Sequence, residues 1–343
     1  MINVKAPPYN AYGDNSHDDT AAIQAAFTAA SSTLEKVIVP AGVYKTSDEL
    51  VPTAGIIIEG EGTSSVITAA STFPSNKDFI RFAPAQTVTG MAVRDLAIIP
   101  NGKGRHGIHL DPGGAASFLN VSLERLLIFP TDNGNSIKTK WLAYSEIKGR
   151  NNLESVWLEE TGDNVLFEGN VITGIFGENA ADPKAGVRFS QVQGSGNFQM
   201  VNNVVAKTAT MLQMETALKP HIVSNEFETP YQQANTSGVV MILGTLNGVV
   251  KAPWIVDNEF HILDGSNNPY PIMLINTTDA VIDGGYNSIQ GSSYKHIYLG
   301  GASTGLAGAL RTRIRAGGQY DVAGVVQPHP NVQDSSPGGT TLY

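Results

Sequence analysis

The chain has no cysteine among its 343 residues. Disulfide staples and Cys/His metal clusters are therefore excluded, though a long ladder of backbone hydrogen bonds can hold a secreted protein together without them. Charged residues are scarce, at 15%, and the formal charge is −9. That sign works against non-specific binding to nucleic acid or to an anionic membrane, both of which need a positive field. It leaves room for an acidic substrate, because a local basic groove can sit on an acidic protein. No apolar run approaches the ~18 residues needed to cross a bilayer, so membrane insertion is not expected. The opening, Met1-Ile-Asn-Val-Lys-Ala-Pro-Pro8, lacks the pattern of a signal peptide. The expectation is export by another route, or an N-terminal portion absent from this chain. There is no HExxH, P-loop or EF-hand loop, and neither metal nor cofactor is expected.

What is abundant is glycine, 36 residues, as in β-rich proteins with many tight turns. Asparagine recurs in a fixed apolar frame. The copies are Leu166-Phe-Glu-Gly-Asn170-Val-Ile172, Gln199-Met-Val-Asn-Asn203-Val-Val205, His221-Ile-Val-Ser-Asn225-Glu-Phe227 and Trp254-Ile-Val-Asp-Asn258-Glu-Phe260, with a looser one ending Tyr286-Asn287-Ser-Ile289. The gaps between these asparagines are 33, 22, 33 and 29 residues, a range that signifies stacked supersecondary units. The units are strand-like, with no helix signal between them, so the stack reads as an all-β, single-stranded parallel β-helix of about ten coils. A buried Asn at one corner of each coil can bond its neighbours above and below, which satisfies both its donors and its carbonyl. Two earlier segments, Val93–Ile99 and Leu123–Phe129, lack the Asn but look like the same rung element, and Ile137–Ile147 looks like a short extra coil.

Residues 1–50 read as a capping segment, 51–318 as the coils, and the Pro/Gly/Ser-rich 319–343 as an extended tail. Within the first, Asp18, Asp19 and Thr20 stand at the N-cap and first turn of a helix. Ala22, Ile23, Ala26, Phe27 and Ala30 give that helix one apolar face, suited to plugging the open end of a solenoid. Gly13-Asp14-Asn15, Asp18-Asp19-Thr20, Ala22-Ile23-Gln24 and Pro40-Ala-Gly42-Val-Tyr44 together resemble the N-terminal signature of the pectate-lyase-like right-handed β-helix superfamily. The third position of Gly-Asp-Gly is Asn15 here, which also tolerates a left-handed turn. The resemblance is strongest to phage tailspike polysaccharide depolymerases. It implies a right-handed β-helix, a polysaccharide substrate, a homotrimer with a groove that can lie between subunits, and a place outside the cell, on a virion tail or secreted.

Strand alternation puts Ile108/Leu110, Val156/Leu158 and Val187/Phe189 inward. Their neighbours face out as two ragged columns: His109, Trp157, Arg188 and Gln213, then Asp111, Glu159, Ser190 and Glu215. Trp157 offers an apolar face to a pyranose ring, and Arg188 can hold a uronate carboxylate. His109, Lys140 and Tyr298 complete the expected substrate contacts. The first expectation for chemistry is glycosidic hydrolysis, which needs carboxyl pairs ~5 Å or ~6.5–9.5 Å apart. Rungs are ~4.8 Å apart. Glu159 with Asp163 or Glu160 is the favoured pair, and Asp111 and Glu215 are further candidates. A uronate lyase or epimerase using Arg188, His109, Lys138 or Lys140 is the first alternative. A glycan-binding or virion-structural β-helix without activity is the second. The faint likeness of His106-Gly-Ile-His-Leu-Asp111-Pro to an alginate-epimerase element lacks that element's tyrosine and following histidine, so no roles are carried over from it.

Overall fold

The computed structural model describes residues 1–53, 55–114, 116–129, 134–173, 185–192, 197–208, 210–228, 241–244, 248–262, 272–284, 286–289, 297–299, 311–315, 319–322, 325–327, 332–334 and 341–342. The chain divides into two units, Met1–Glu159 and Glu160–Tyr343.

In the first unit the α-helix Thr20–Thr33 buries Ile23, Ala26, Phe27 and Ala30. The spacing that predicted the helix is the face it buries. The acids in front of it act differently from expectation. Asp19 is the N-cap residue, but its side chain makes no cap hydrogen bond. Its carboxylate accepts instead from the backbone N–H of Tyr12 at 2.6 Å and of Gly13 at 3.0 Å. Asp18 accepts from the Thr20 N–H at 3.0 Å and from the Ser47 hydroxyl at 2.5 Å. Gln24 clasps the backbone of Val51 on both sides, donating at 2.9 Å and accepting at 2.7 Å. Tyr44 is fully buried, and its hydroxyl donates to the Pro40 carbonyl at 2.8 Å. Gly13 lies at φ 62°, and a Cβ there would sit 2.9 Å from the Tyr44 ring. The N-terminal signature is therefore a mutual clasp of turn, helix and first strands.

The strands Val37–Val39 and Gly42–Thr46 already pair in parallel with Ile57–Gly60 and Ser65–Ala69, so coiling begins within the first 50 residues. Leu123 is in register with Val93, and Glu146 with Ser122. A second sheet runs Ile80–Phe82, Ile108–Leu110, Ile137–Ala143, with Ile80, Ile108 and Ile137 in register and fully buried. The expected extra coil is thus an ordinary rung.

In the second unit Val187, Leu212, Met241, Ile272 and Ile297 stack in register. The asparagines form the expected ladder. Asn170 donates its side-chain amide to Asn203 Oδ1 at 2.9 Å, Asn203 to Asn225 at 2.9 Å, and Asn225 to Asn258 at 2.9 Å. Each acceptor oxygen also takes the backbone N–H of the residue above, at 2.9–3.0 Å. The residue before each ladder position takes a left-handed turn: Gly169, Asn202, Ser224 and Asp257. Two details correct the repeat. Asn287 is in register with Phe260, not with Asn258. In the first unit Asn151 makes the same kind of contacts, accepting from the Leu126 N–H at 2.7 Å and donating to the Leu123 carbonyl at 3.1 Å. The expected extended tail is also replaced by structure. Gln319–Val322, Val332–Asp334 and Thr341–Leu342 each continue a parallel ladder, and Val325–Gln327 folds back antiparallel on the first of them.

Candidate functional site

The outward positions of the second sheet in the first unit carry a row of basic side chains. Arg81, His109 and Lys138 are direct neighbours in register on three successive rungs, ~4.8 Å apart. Lys138 Nζ lies 4.1 Å from the Trp157 ring centroid and 3.1 Å from Glu159 Oε2. Arg81 holds Asp111 through two contacts to one carboxylate oxygen, the shorter 2.7 Å. His109, Asp111, Trp157 and Glu159 thus gather on one face of this unit, with Arg81 and Lys138 flanking His109.

His109 departs from the expected exposed column, for it is only 5% exposed. The carboxylate of Asp78 covers it from below, with Oδ2 2.7 Å from His109 Nδ1. The His106 ring packs against it edge-on at 5.0 Å between centroids. Asp78 is fully buried. Burial alone would raise its pKa, but hydrogen bonds from Arg105 and His109 outweigh burial and hold the carboxyl below its ordinary range. An ionised Asp78 selects the proton position on His109: Nδ1–H donates to the carboxylate, which leaves Nε2 to carry the lone pair of the neutral ring.

Asp78, His106 and His109 bring three ligand atoms within 4.8 Å of one another, a spacing suited to a metal. The donor set argues against that use. Asp78 accepts from Arg105 Nε at 2.9 Å, Arg105 Nη2 at 2.8 Å, the His106 N–H at 3.2 Å and His109 Nδ1 at 2.7 Å. These four bonds fill the lone-pair sites of a carboxylate. His106 Nδ1 accepts the Asn135 N–H at 2.9 Å, so its proton sits on Nε2. The cluster is a saturated hydrogen-bond network around an imidazole.

Desolvation pushes the His106 pKa down to about 3 from 6.5. A depressed folded-state value means that the unfolded chain takes up the proton first, so stability is lost as pH falls from about 6.5 to about 3. Asp78, also depressed, adds a loss of the same sign that begins near its ordinary value of 3.8 and continues below this window. One pKa unit is about 1.4 kcal/mol, so the wild type should lose on the order of 4 kcal/mol across this window through His106. His106→Asn keeps an acceptor for the Asn135 N–H and removes the titration. Urea midpoints measured against pH should fall less steeply for this variant; equal slopes would remove His106 from the account.

The remaining predicted residues lie elsewhere. Arg188 and Glu215, in the second unit, hold each other at 2.7 Å, and Arg188 is in register with Gln213 as expected. Glu160 has a buried oxygen, Oε2, with no hydrogen-bond partner among the described residues, and Asp163 is half-buried in the turn beyond. Lys140 is half-buried, one outward position along from Lys138. The side chain of Tyr298 lies outside the described residues. Sequence reading missed Asp78, Arg105, Arg81 and the buried role of His106. Asp78 is 31 residues from His109, and only the rung register brings them together.

Residues 1–105 match the family described as rhamnogalacturonase A/epimerase, pectate lyase-like. Among solved structures, the chain is similar to the mannuronan C-5 epimerase AlgE4 A-module of Azotobacter vinelandii, with 20% identity, TM-score 0.64 and full coverage of both chains. The likeness shows the fold, a right-handed parallel β-helix. The Dettilon tailspike protein matches with TM-score 0.63 and 14% identity, covering 94% of this chain. This chain spans 62% of that tailspike's length. The endo-xylogalacturonan hydrolase of Aspergillus tubingensis matches with TM-score 0.51 and 13% identity, over 97% of this chain and 93% of the hydrolase. No curated protein sequence matches the chain.

Proposed function

We propose that this β-helix acts on an acidic polysaccharide, with His109 as the base that removes the proton beside a uronate carboxylate. The observation that carries the reading is the His109–Asp78 pair set in register between Arg81 and Lys138. Proton abstraction next to a carboxylate needs a positioned base and positive charge where the enolate-like intermediate develops. His109 Nε2 takes the C5 proton, and Arg81 and Lys138 meet the carboxylate charge. Cleavage of the C4–O bond then forms C4=C5, and the leaving oxygen is protonated. Return of a proton to the opposite face of C5 would give epimerisation instead. The family match over residues 1–105 supports carbohydrate chemistry at the level of class.

Hydrolysis, the first expectation from sequence, draws less support. Glu159, Asp111 and Glu215 each face a cation, Lys138, Arg81 and Arg188 respectively. These ion pairs engage the carboxylates that a two-carboxyl mechanism would need free for the sugar. The test is incubation with capsular, O-antigen and uronate polysaccharides, reading ultraviolet absorbance and product mass together. Fragments with an unsaturated chromophore, or inverted uronates at constant mass, support the proposal. Fragments heavier by water would replace it with the hydrolase reading. Binding to glycans without any change in them would indicate a recognition or virion-structural module. A homotrimer outside the cell, on a virion tail or secreted, goes with the tailspike-like form of this reading; sedimentation tests the assembly.

Lys138→Met should raise KM for a carboxylated glycan by about tenfold, the equivalent of about 1.4 kcal/mol of lost charge recognition. The effect should vanish on a carboxyl-reduced glycan that still binds. Unchanged KM would take Lys138 out of the substrate contacts.

A further inference from the structure

Trp254 lies on the strand Trp254–Val256 in the second unit and is 49% exposed, although the residue after it, Ile255, is buried. It belongs to an outward row that runs across five rungs in register: Gln199, His221, Trp254, Val281 and Arg313. Four steps of ~4.8 Å make the row ~19 Å long. The His221 ring lies beside the indole at 5.7 Å between centroids, tilted by 39°. The next outward row holds Val201, Val223 and Val256, all half-buried, and reaches Asp283 beside Val256. From Gln199 to Val281 the row contains no Lys, Arg, Asp or Glu. The result is an uncharged stretch of four rungs, closed by Arg313, with one exposed aromatic face and planar hydrogen-bonding side chains along it.

We propose that this strip is a second saccharide-binding site, separate from the His109 face, and that it takes an uncharged run of pyranose rings. A pyranose presents an apolar face of C–H bonds and a rim of hydroxyls. The Trp254 face matches the first, and the Gln199 amide and the His221 ring match the second. A protein partner fits less well. Among the described residues, Val171 and Trp254 are the exposed large hydrophobics of the second unit. Half of one indole offers only about 100 Å², against about 800 Å² per partner in a stable protein interface. The area suits one or two sugar rings.

The test uses the whole chain and three neutral probes: cellohexaose, xylohexaose and chitohexaose. Titration calorimetry and tryptophan fluorescence should show at least one of them binding. Trp254→Ala should weaken that binding by about tenfold or more, and Trp254→Tyr, which keeps an aromatic face, by about threefold or less. Phe129→Ala, an exposed ring of the first unit with no role in the proposed reaction, should leave it unchanged, which ties the binding to Trp254 whatever becomes of that reaction. Melting of Trp254→Ala should match wild type because the ring is half exposed. Absence of binding by all three probes at millimolar concentration would overturn the proposal. So would equal binding by Trp254→Ala. A changed sedimentation coefficient in that variant, with sugar binding intact, would instead make the strip a protein interface.

Discussion

His109→Asn should lower turnover of the acidic glycan about a thousandfold while leaving the fold and glycan affinity close to wild type. The size follows from the usual contribution of a positioned general base, about 10²–10⁴ in rate. The choice of asparagine follows from the geometry. Its side-chain NH2 can occupy the place of Nδ1–H and keep the 2.7 Å bond to Asp78, so the buried carboxylate keeps its four donors. What is lost is the lone pair on Nε2. His109→Ala would confuse the result, because it leaves the fully buried Asp78 one donor short. Turnover should be read as kcat and KM separately. A fall in kcat with KM steady marks a residue that acts in the transition state. A variant with wild-type kcat would remove His109 from the chemistry and return attention to Glu159 with its neighbours Glu160 and Asp163.

Asp78→Asn is the informative companion. It removes the charge that selects the His109 tautomer but leaves the side chain's shape. An amide that turns its NH2 toward Nδ1 forces the proton onto Nε2, where the lone pair is needed. Asp78 is a positioning residue, and its loss should lower kcat with the dependence on pH altered, while a purely structural role would move only the melting temperature.

The scaffold was legible because its signals are local or periodic. Ile23, Ala26, Phe27 and Ala30 mark a helix face within one segment. Asn170, Asn203, Asn225 and Asn258 mark one corner of successive coils within the same seven-residue frame. Asn287 was misread because the frame keeps its length there, with Trp254 set against Val281 and Phe260 against Asn287, so Asn287 falls two residues past the corner. Asn151 was missed because its frame, Ile147-Lys-Gly-Arg-Asn151, keeps only one of the apolar positions. The site was less legible for a different reason. Alternation correctly turned His109, Trp157 and Glu159 outward, but alternation says nothing about what covers an outward side chain. His109 is buried by Asp78 and His106, which precede two different strands of the sheet. No period in the sequence links an aspartate before Ile80–Phe82 to a histidine in Ile108–Leu110; only the registered stacking of rungs does.

The ladder itself makes the largest stability prediction. Asn225→Ala should cost about 3 kcal/mol in denaturant unfolding. Asn225 is 1% exposed. Its Oδ1 accepts the Asn203 N–H at 3.0 Å and the Asn203 amide at 2.9 Å, and its own amide donates to Asn258 Oδ1 and to the Met200 carbonyl, both at 2.9 Å. Truncation orphans the buried Asn203 N–H outright and takes one donor from the Met200 carbonyl. An unpaired buried group costs about 1–3 kcal/mol, more than the net worth of the bond it made. Asn225→Asp should be no better: it keeps an acceptor, loses both donors and places a carboxylate where solvent does not reach. The control is Ser224→Ala, one residue away in the same corner. Ser224 is exposed and left-handed at φ 53°, and Ala252 already holds φ 49° in this chain, so the change should stay within about 0.5 kcal/mol. In a stack where each coil touches only its neighbours, a weak rung also uncouples what lies on either side. Asn225→Ala should therefore broaden the transition as well as shift it, and hydrogen exchange should rise first at the amides of Asn203 and Glu226. A sharp transition at the wild-type midpoint would show that the side-chain ladder follows the backbone sheet without supporting it.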